Sequence, residues 1–135
     1  MQVLQLPVRF AHVDAAGIVF YPRYFEMLNA AVEQYFADIV GVDFKTMHLD
    51  RQIGVPTVHL EADFAAPSRL GDLLSIDLAV EKVGRSSCAV RYVVRCGEET
   101  RLRASATLVC MDLVKASAIA WPDDIRARML VEPVD

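Results

Sequence analysis

One aspartate, Asp14, lies in an apolar stretch just before a predicted helix, and every other residue from Val13 to Phe20 is apolar or glycine. A carboxylate in such surroundings is usually drawn into a partly desolvated position, where it is either paired or used in chemistry. The residue type suits a nucleophile or a general base. An isolated aspartate before a helix is also a common turn or capping residue. The residues around Asp14 must therefore decide between a catalytic and a purely structural role.

The residues that follow Asp14 could stabilise a developing negative charge. Pro22 fits the first position of a helix, because its missing N–H is not needed there. Tyr21 then precedes the helix, and its backbone N–H and the helix dipole could polarise a carbonyl oxygen. Gly17 would let the loop backbone approach a substrate closely. His12 stands two residues before Asp14, where it either orients the carboxylate or serves as a partly exposed structural histidine.

The elements that position these residues are a strand and a long helix. Residues 3–10 alternate well enough for a first strand, and the helix is expected to run from Pro22 to a stop at Gly41. Its apolar side chains cover most of the circumference, which predicts a mostly buried helix. A narrow polar stripe remains, formed by Arg23, Glu26, Asn29 and Glu33.

From Val55 onward the apolar period changes to two, which predicts four further strands. Turn residues near 66–72, 84–86 and 97–99 separate them, so the strands form antiparallel hairpins. The predicted fold class is α+β, with a five-stranded antiparallel sheet curled around one long central helix. We expect residues 1–135 to form a single domain, with one or two helical turns after Pro122.

Composition excludes several classes of protein. A net charge of −4 argues against a partner such as nucleic acid or an anionic membrane. No segment has the length of a membrane span, and the three cysteines lack C-x-x-C spacing, so we expect a cytoplasmic protein with reduced thiols. The histidines at 12, 48 and 59 are too scattered for a metal site, and neither a metal nor a cofactor is predicted.

Taken in order, these features resemble the 4-hydroxybenzoyl-CoA thioesterase family of hotdog-fold acyl-CoA thioesterases. The resemblance covers nearly the whole chain. Its motifs are D-x-x-G-x-V-x-Y-x-x-Y-F-E over residues 14–26, G-x-P at 54–56, L-G-D-x-L at 70–74 and G-R-S-S at 84–87. The first motif is fairly specific, because several residue types recur at fixed spacing.

The resemblance implies a homodimer or homotetramer of hotdog domains, with acyl-CoA at a subunit interface and no bound cofactor. Asp14 would attack the thioester or activate a water, and the Tyr21 amide would bind the oxyanion. The turn at 84–87 would contact the CoA phosphates, which an arginine fork and hydroxyls suit well. The expected substrate-binding residues are His12, Pro22, Tyr24, Arg85, Ser86, Ser87 and Arg103.

Several alternatives remain open at the level of sequence. Another hotdog branch carries its catalytic carboxylate on the helix, where Glu26 or Glu33 could imitate it. A protein that binds acyl-CoA without hydrolysing it, or a hotdog hydratase or dehydratase, would share the fold, and release of free thiol from a panel of acyl-CoAs separates them. The apolar loop residues 18–20 admit an aromatic ring or a short to medium acyl chain.

Overall fold

The computed structural model describes residues 1–130, and the last five residues of the expected domain lie outside it. The elements follow the predicted order of a strand, a helix and then several strands, with a second helix near the end. In chain order they are β1 (Gln2–Pro7), α1 (Pro22–Tyr35), β2 (Ile53–Gly54), β3 (Thr57–Phe64), β4 (Leu73–Val83), β5 (Ser87–Cys96), β6 (Glu99–Val109), β7 (Met111–Asp112), β8 (Ser117–Ala118) and α2 (Asp123–Met129).

Helix α1 begins at the predicted residue, and the helical segment that it opens ends at the predicted stop, Gly41. Pro22 is its first residue, and after Tyr35 the chain continues through a wider π-type turn, Phe36–Val40, for a helical segment of 19 residues. Gly41 closes it with a φ of 82°, a left-handed conformation that glycine adopts without strain. Its N–H donates to the carbonyl of Phe36 at 2.8 Å.

The five long strands form one antiparallel sheet in the order β1-β4-β5-β6-β3, so the predicted α+β class and strand count are confirmed. Alternate side chains of the central strands lie on the face that packs against α1. The buried residues of this core include Met27, Leu28, Ala31 and Val32 on α1 and Ile76, Leu78, Val90, Tyr92, Val94, Leu102 and Ala104 on the sheet. The polar stripe of α1 is exposed, as expected.

Sequence patterning missed a small second sheet, in the order β2-β7-β8. Each of these strands has two residues, which is too short for a period of two to be visible. Arg51, just before β2, donates to both carboxylate oxygens of Asp124 on α2 at 2.7 and 2.9 Å and ties the two regions together. Within residues 1–130, no helix is long and apolar enough to cross a membrane.

Strand β3 lies at an edge of the large sheet and pairs only with β6 among the described residues. Seven of its eight residues are exposed, including Val58, Leu60 and Phe64 at 60%, 37% and 50%. A long apolar edge strand of this kind is a template for pairing with another chain.

Candidate active site

The loop that carries Asp14 is a tight turn closed by its own backbone. The Gly17 N–H donates to the Asp14 carbonyl at 2.9 Å, and the Asp14 N–H donates to the Ile18 carbonyl at 3.0 Å. Gly17 has a φ of 78°, a left-handed conformation that glycine adopts without strain. The Ala16 N–H donates to Asp14 Oδ1 at 2.8 Å. One carboxylate oxygen is therefore held by the turn.

Asp14 is exposed, so the expectation of a partly desolvated position is wrong for the single chain. The physical reason is the position of the turn. Ala15 and Ala16 at the tip are exposed as well, and the carboxylate folds back onto the Ala16 N–H without contacting the apolar core.

The start of α1 lies beside this loop. Val13 and Val19 form an antiparallel bridge, and the Phe20 N–H donates to the His12 carbonyl at 2.9 Å, so the chain returns next to Asp14 before entering the helix. Tyr21 is the helix cap. Within residues 1–130 its backbone N–H has no acceptor. A free N–H at a helix start is a ready donor to a developing negative charge.

His12 is engaged with its own local turn. Its Nδ1 accepts the Arg9 N–H at 2.8 Å, so this nitrogen is deprotonated and unavailable to Asp14. Of the two interpretations of His12, the geometry favours a structural histidine that holds the short 3₁₀ turn at Phe10–His12.

An apolar pocket of about 330 Å³ opens beside Tyr21. Ile18, Val19 and Tyr24 line it, and Phe64 at the end of β3 forms part of its wall. The Phe64 ring makes an edge-to-face contact with the Tyr21 ring, with centroids 6.1 Å apart. Sequence reasoning missed Phe64, although the alternation of β3 places it on the inner face at the strand end nearest the loop.

Tyr24 contributes to this pocket from a buried position. It is 4% exposed, and its hydroxyl donates to Ser68 Oγ at 2.9 Å. Ser68 is fully buried, and its carbonyl accepts the Val19 N–H at 2.8 Å. The Tyr24–Ser68 pair therefore links α1 to the segment before β4, and the Ser68 carbonyl links that segment to the loop.

The turn at Arg85, Ser86 and Ser87 does not lie near Asp14 in the same chain. It follows the end of β4, whereas the loop is anchored at the other end of that strand, where the Val8 N–H donates to the Asp72 carbonyl. Strand β4 has 11 residues, which corresponds to about 35 Å. The expected catalytic and CoA-binding residues thus occupy opposite ends of the sheet.

Three backbone contacts fix the shape of this distant turn. The Trp121 backbone N–H donates to the Arg85 carbonyl at 2.9 Å, and the Trp121 indole N–H donates to the Ser87 carbonyl at 3.0 Å. The Cys110 N–H donates to the Ser86 carbonyl at 2.8 Å. The Arg85 residue itself is exposed, so its side chain is accessible to an anion.

Arg103 and the helix carboxylates do not line the pocket beside Tyr21. Arg103 is exposed on β6 between the buried Leu102 and Ala104, so it is on the sheet face away from α1. Glu26 and Glu33 are exposed on α1, and Glu26 forms an ion pair with Arg23 at 2.9 Å.

Comparisons with known proteins agree with this geometry. Residues 8–129 match the model of the thioesterase-like superfamily. A 1,4-dihydroxy-2-naphthoyl-CoA hydrolase from Nostoc punctiforme is 30% identical over 118 residues, which cover 87% of this chain and 79% of the relative. The expected resemblance therefore holds at the level of the superfamily, and this relative is named for a naphthoyl substrate, not for 4-hydroxybenzoyl-CoA.

Two solved structures share the fold. A 1,4-dihydroxy-2-naphthoyl-CoA thioesterase from Synechocystis superposes with a TM-score of 0.85 at 22% identity, covering 96% of this chain and 97% of that one. A gentisyl-coenzyme A thioesterase superposes with a TM-score of 0.84 at 23% identity, covering 94% and 98%.

Proposed function

Because the chain belongs to the thioesterase-like superfamily, we propose that Asp14 hydrolyses the thioester of an acyl-CoA in the pocket beside the start of α1. The chain is an acyl-CoA thioesterase. One observation carries the assignment of the site: Asp14 and Tyr21 lie on the two bridged segments of one loop, the Tyr21 N–H has no acceptor within residues 1–130, and Tyr21 borders an apolar pocket. Acyl transfer needs this combination of a nucleophile or base and an oxyanion donor.

The proposed chemistry follows from these two groups. The thioester oxygen accepts the Tyr21 N–H, which stabilises the negative charge that develops on it. Asp14 either attacks the carbonyl carbon, forming an anhydride and expelling CoA thiolate before water hydrolyses it, or removes a proton from the attacking water. Both routes yield the free acid and CoA.

The pocket beside the start of α1 supports an aryl thioester. Its wall includes the rings of Tyr21, Tyr24 and Phe64, and aromatic rings pack favourably edge to face, so these side chains would contact the part of the aromatic group next to the reacting carbonyl, and its far end would reach beyond the pocket. The relatives are named for aromatic acyl-CoAs, which agrees with this preference. A short or medium acyl chain is the alternative occupant.

The position of β3 at the edge of the described sheet supports a symmetric dimer as the active form, with a tetramer as a further assembly. If the β3 edges of two copies pair antiparallel, the end of β3 in one copy lies beside the start of β3 in the other. The loop with Asp14 is near the end of β3, and the Arg85 turn is at the opposite end of the sheet. Pairing would therefore bring the loop of one copy and the turn of its neighbour to the same side.

Replacing the carboxylate tests the assignment of Asp14. We expect Asp14→Asn to fold normally and to lose at least ~10²-fold in kcat, because the amide is neither a nucleophile nor a base. Steady-state release of CoA thiol from aromatic acyl-CoAs measures this. Asp50→Asn, which changes an exposed carboxylate away from the site, is the matched control and should keep full activity.

Other outcomes would redirect the assignment. Wild-type turnover in Asp14→Asn would refute the role of Asp14 and favour a carboxylate on α1. Binding of acyl-CoA by the native protein without any thiol release would favour the non-catalytic binding protein.

A further inference from the structure

A cavity of about 740 Å³ lies between α1, β2 and the start of β3 and is not used by the chemistry above. Phe44, Pro56 and Met111 form part of its apolar wall. Its polar side includes Glu26, Asn29, Glu33, His48 and Thr57. Two carboxylates and a histidine accept hydrogen bonds more readily than they donate them. The cavity therefore suits an apolar group that carries hydrogen-bond donors.

His48 is held in one orientation within this wall. Its Nδ1 lies 2.8 Å from the Phe44 carbonyl, and its ring packs against the Phe44 ring with centroids 4.7 Å apart. A carbonyl only accepts, so Nδ1 carries the hydrogen and the neutral ring presents the lone pair of Nε2. Within residues 1–130, Nε2 makes no hydrogen bond.

Gly54 leaves room for this arrangement. A Cβ at position 54 would lie 2.8 Å from Leu113 Cδ2 and 3.7 Å from His48 Nε2. The missing side chain therefore keeps the space in front of Nε2 open.

The cavity continues toward the start of α1. Asn29 and Thr57 also border a second cavity of about 200 Å³, which reaches Phe25 and Leu60. Along the helix, Asn29 is about 12 Å from Tyr21 at ~1.5 Å per residue, which is too far for a ring attached to a thioester at the same loop. Antiparallel pairing of β3 edges would instead place the cavity of one copy beside the loop of the other.

We propose that His48 is a specificity-determining residue, whose Nε2 accepts a hydrogen bond from a ring hydroxyl of the acyl group and thereby selects hydroxylated aryl-CoAs. This inference rests on the proposed function, since it concerns the acyl group that is hydrolysed. It predicts one hydrogen bond, from a ring hydroxyl of the acyl group to His48 Nε2.

The test compares 1,4-dihydroxy-2-naphthoyl-CoA with 2-naphthoyl-CoA, which lacks both hydroxyls. His48→Asn is the decisive variant, because the amide nitrogen can still donate to the Phe44 carbonyl while the Nε2 acceptor is lost. We expect kcat/KM to fall about tenfold for the hydroxylated substrate, as for one lost hydrogen bond, and less than about threefold for the deoxy substrate.

Two further variants separate recognition from folding. His48→Gln carries an amide near the position of Nε2 and should restore part of the preference for the hydroxylated substrate over the deoxy substrate. Leu49→Ala changes the next residue, which is 70% exposed and does not line the cavity. It should leave kcat/KM unchanged for both substrates.

The outcomes are distinguishable from failure of the proposed function. If the native enzyme hydrolyses neither substrate nor any other acyl-CoA, the proposed function is wrong. If it hydrolyses both with equal kcat/KM, the role of His48 is overturned. The same holds if His48→Asn lowers kcat/KM by the same factor for both substrates. Should His48→Asn not fold, the native preference and the His48→Gln ratio decide the question.

Discussion

At the scale of single residues, the Asp14 carboxylate is held by the Ala16 N–H of its own turn, and its exposure leaves it accessible to a substrate. Asp14, Gly17 and Tyr21 were identified from type and spacing, and the structure gives Gly17 a positive φ and Tyr21 a free N–H among the described residues. The exposure of Asp14 and the engagement of His12 with Arg9 were not predictable. Both depend on the direction of a side chain at a turn, which local sequence patterns do not determine.

The buried pair of Tyr24 and Ser68 gives a prediction at this scale. Tyr24→Phe removes the donor to Ser68 Oγ, and Ser68 has no exposed surface from which to recruit water. Leaving a buried hydroxyl unpaired costs about 1–2 kcal/mol. We expect urea unfolding to show this loss, with an unchanged m value.

Tyr21→Phe is the control for that measurement, since Tyr21 is 58% exposed and its hydroxyl donates to no described residue. Its unfolding free energy should stay within about 0.5 kcal/mol of the native value. Equal stabilities for the two variants would contradict a structural role of the Tyr24 hydroxyl.

At the scale of elements, length decided what could be predicted. Helix α1 and the five long strands each repeat their apolar period several times, and their order along the chain was predicted correctly. The hairpins at 84–86 and 97–99 are confirmed, but the one expected near 66–72 is wrong, because β3 crosses to the far edge of the sheet and pairs with β6 while β4 pairs with β1 and β5. The two-residue strands of the small sheet and the helical turn at Thr46–Asp50 offer no such repetition. Their positions depend on tertiary contacts, and they form part of the wall of the cavity that contains His48.

The turn before β4 gives a prediction about pH. Asp72 accepts the Arg69 N–H at 2.9 Å and a hydrogen bond from Arg101 Nη1 at 2.8 Å, and these contacts hold the pKa of its carboxyl below the usual range. A lowered folded-state pKa stabilises the fold above the unfolded pKa of about 4. This stabilisation is lost as the pH falls through the folded-state value.

Asp72→Asn should therefore lower the unfolding free energy at pH 7 by roughly 1 kcal/mol and flatten its decline below pH ~4. Urea unfolding between pH 3 and pH 7 measures both effects. Asp50→Asn, at an exposed carboxylate, provides the comparison. A parallel decline in native protein and Asp72→Asn would show that Asp72 does not contribute to acid sensitivity.

At the scale of the whole molecule, the separation of the Asp14 loop from the Arg85 turn is the feature that sequence could not reveal. Both segments were identified from their residues, yet they lie at opposite ends of β4 in one chain. The free apolar edge of β3 offers a route to reunite them. A composite site, formed by the Asp14 loop of one copy and the Arg85 turn of another, makes a specific kinetic prediction.

The Arg85→Ala homodimer should show a KM for acyl-CoA raised roughly 5- to 30-fold with kcat changed less than about threefold, because an exposed ionic contact to phosphate is made equally in ground and transition states. An acyl-pantetheine, which lacks the nucleotide phosphates, should erase most of this difference. An equal penalty with the truncated substrate would mean that Arg85 does not contact the CoA phosphates.

A heterodimer of one Asp14→Asn chain and one Arg85→Ala chain, isolated with two different tags, then decides which subunit supplies each group. If the loop of one copy works with the turn of the other, the active Asp14 sits beside an intact Arg85, and the heterodimer has a native KM with about half the native kcat per dimer. If both groups act within one chain, the active Asp14 works with a turn that has lost its arginine, and KM stays as high as in the Arg85→Ala homodimer. A native KM requires a site shared between subunits, whereas the raised KM would overturn the composite site and leave β3 pairing without a catalytic role.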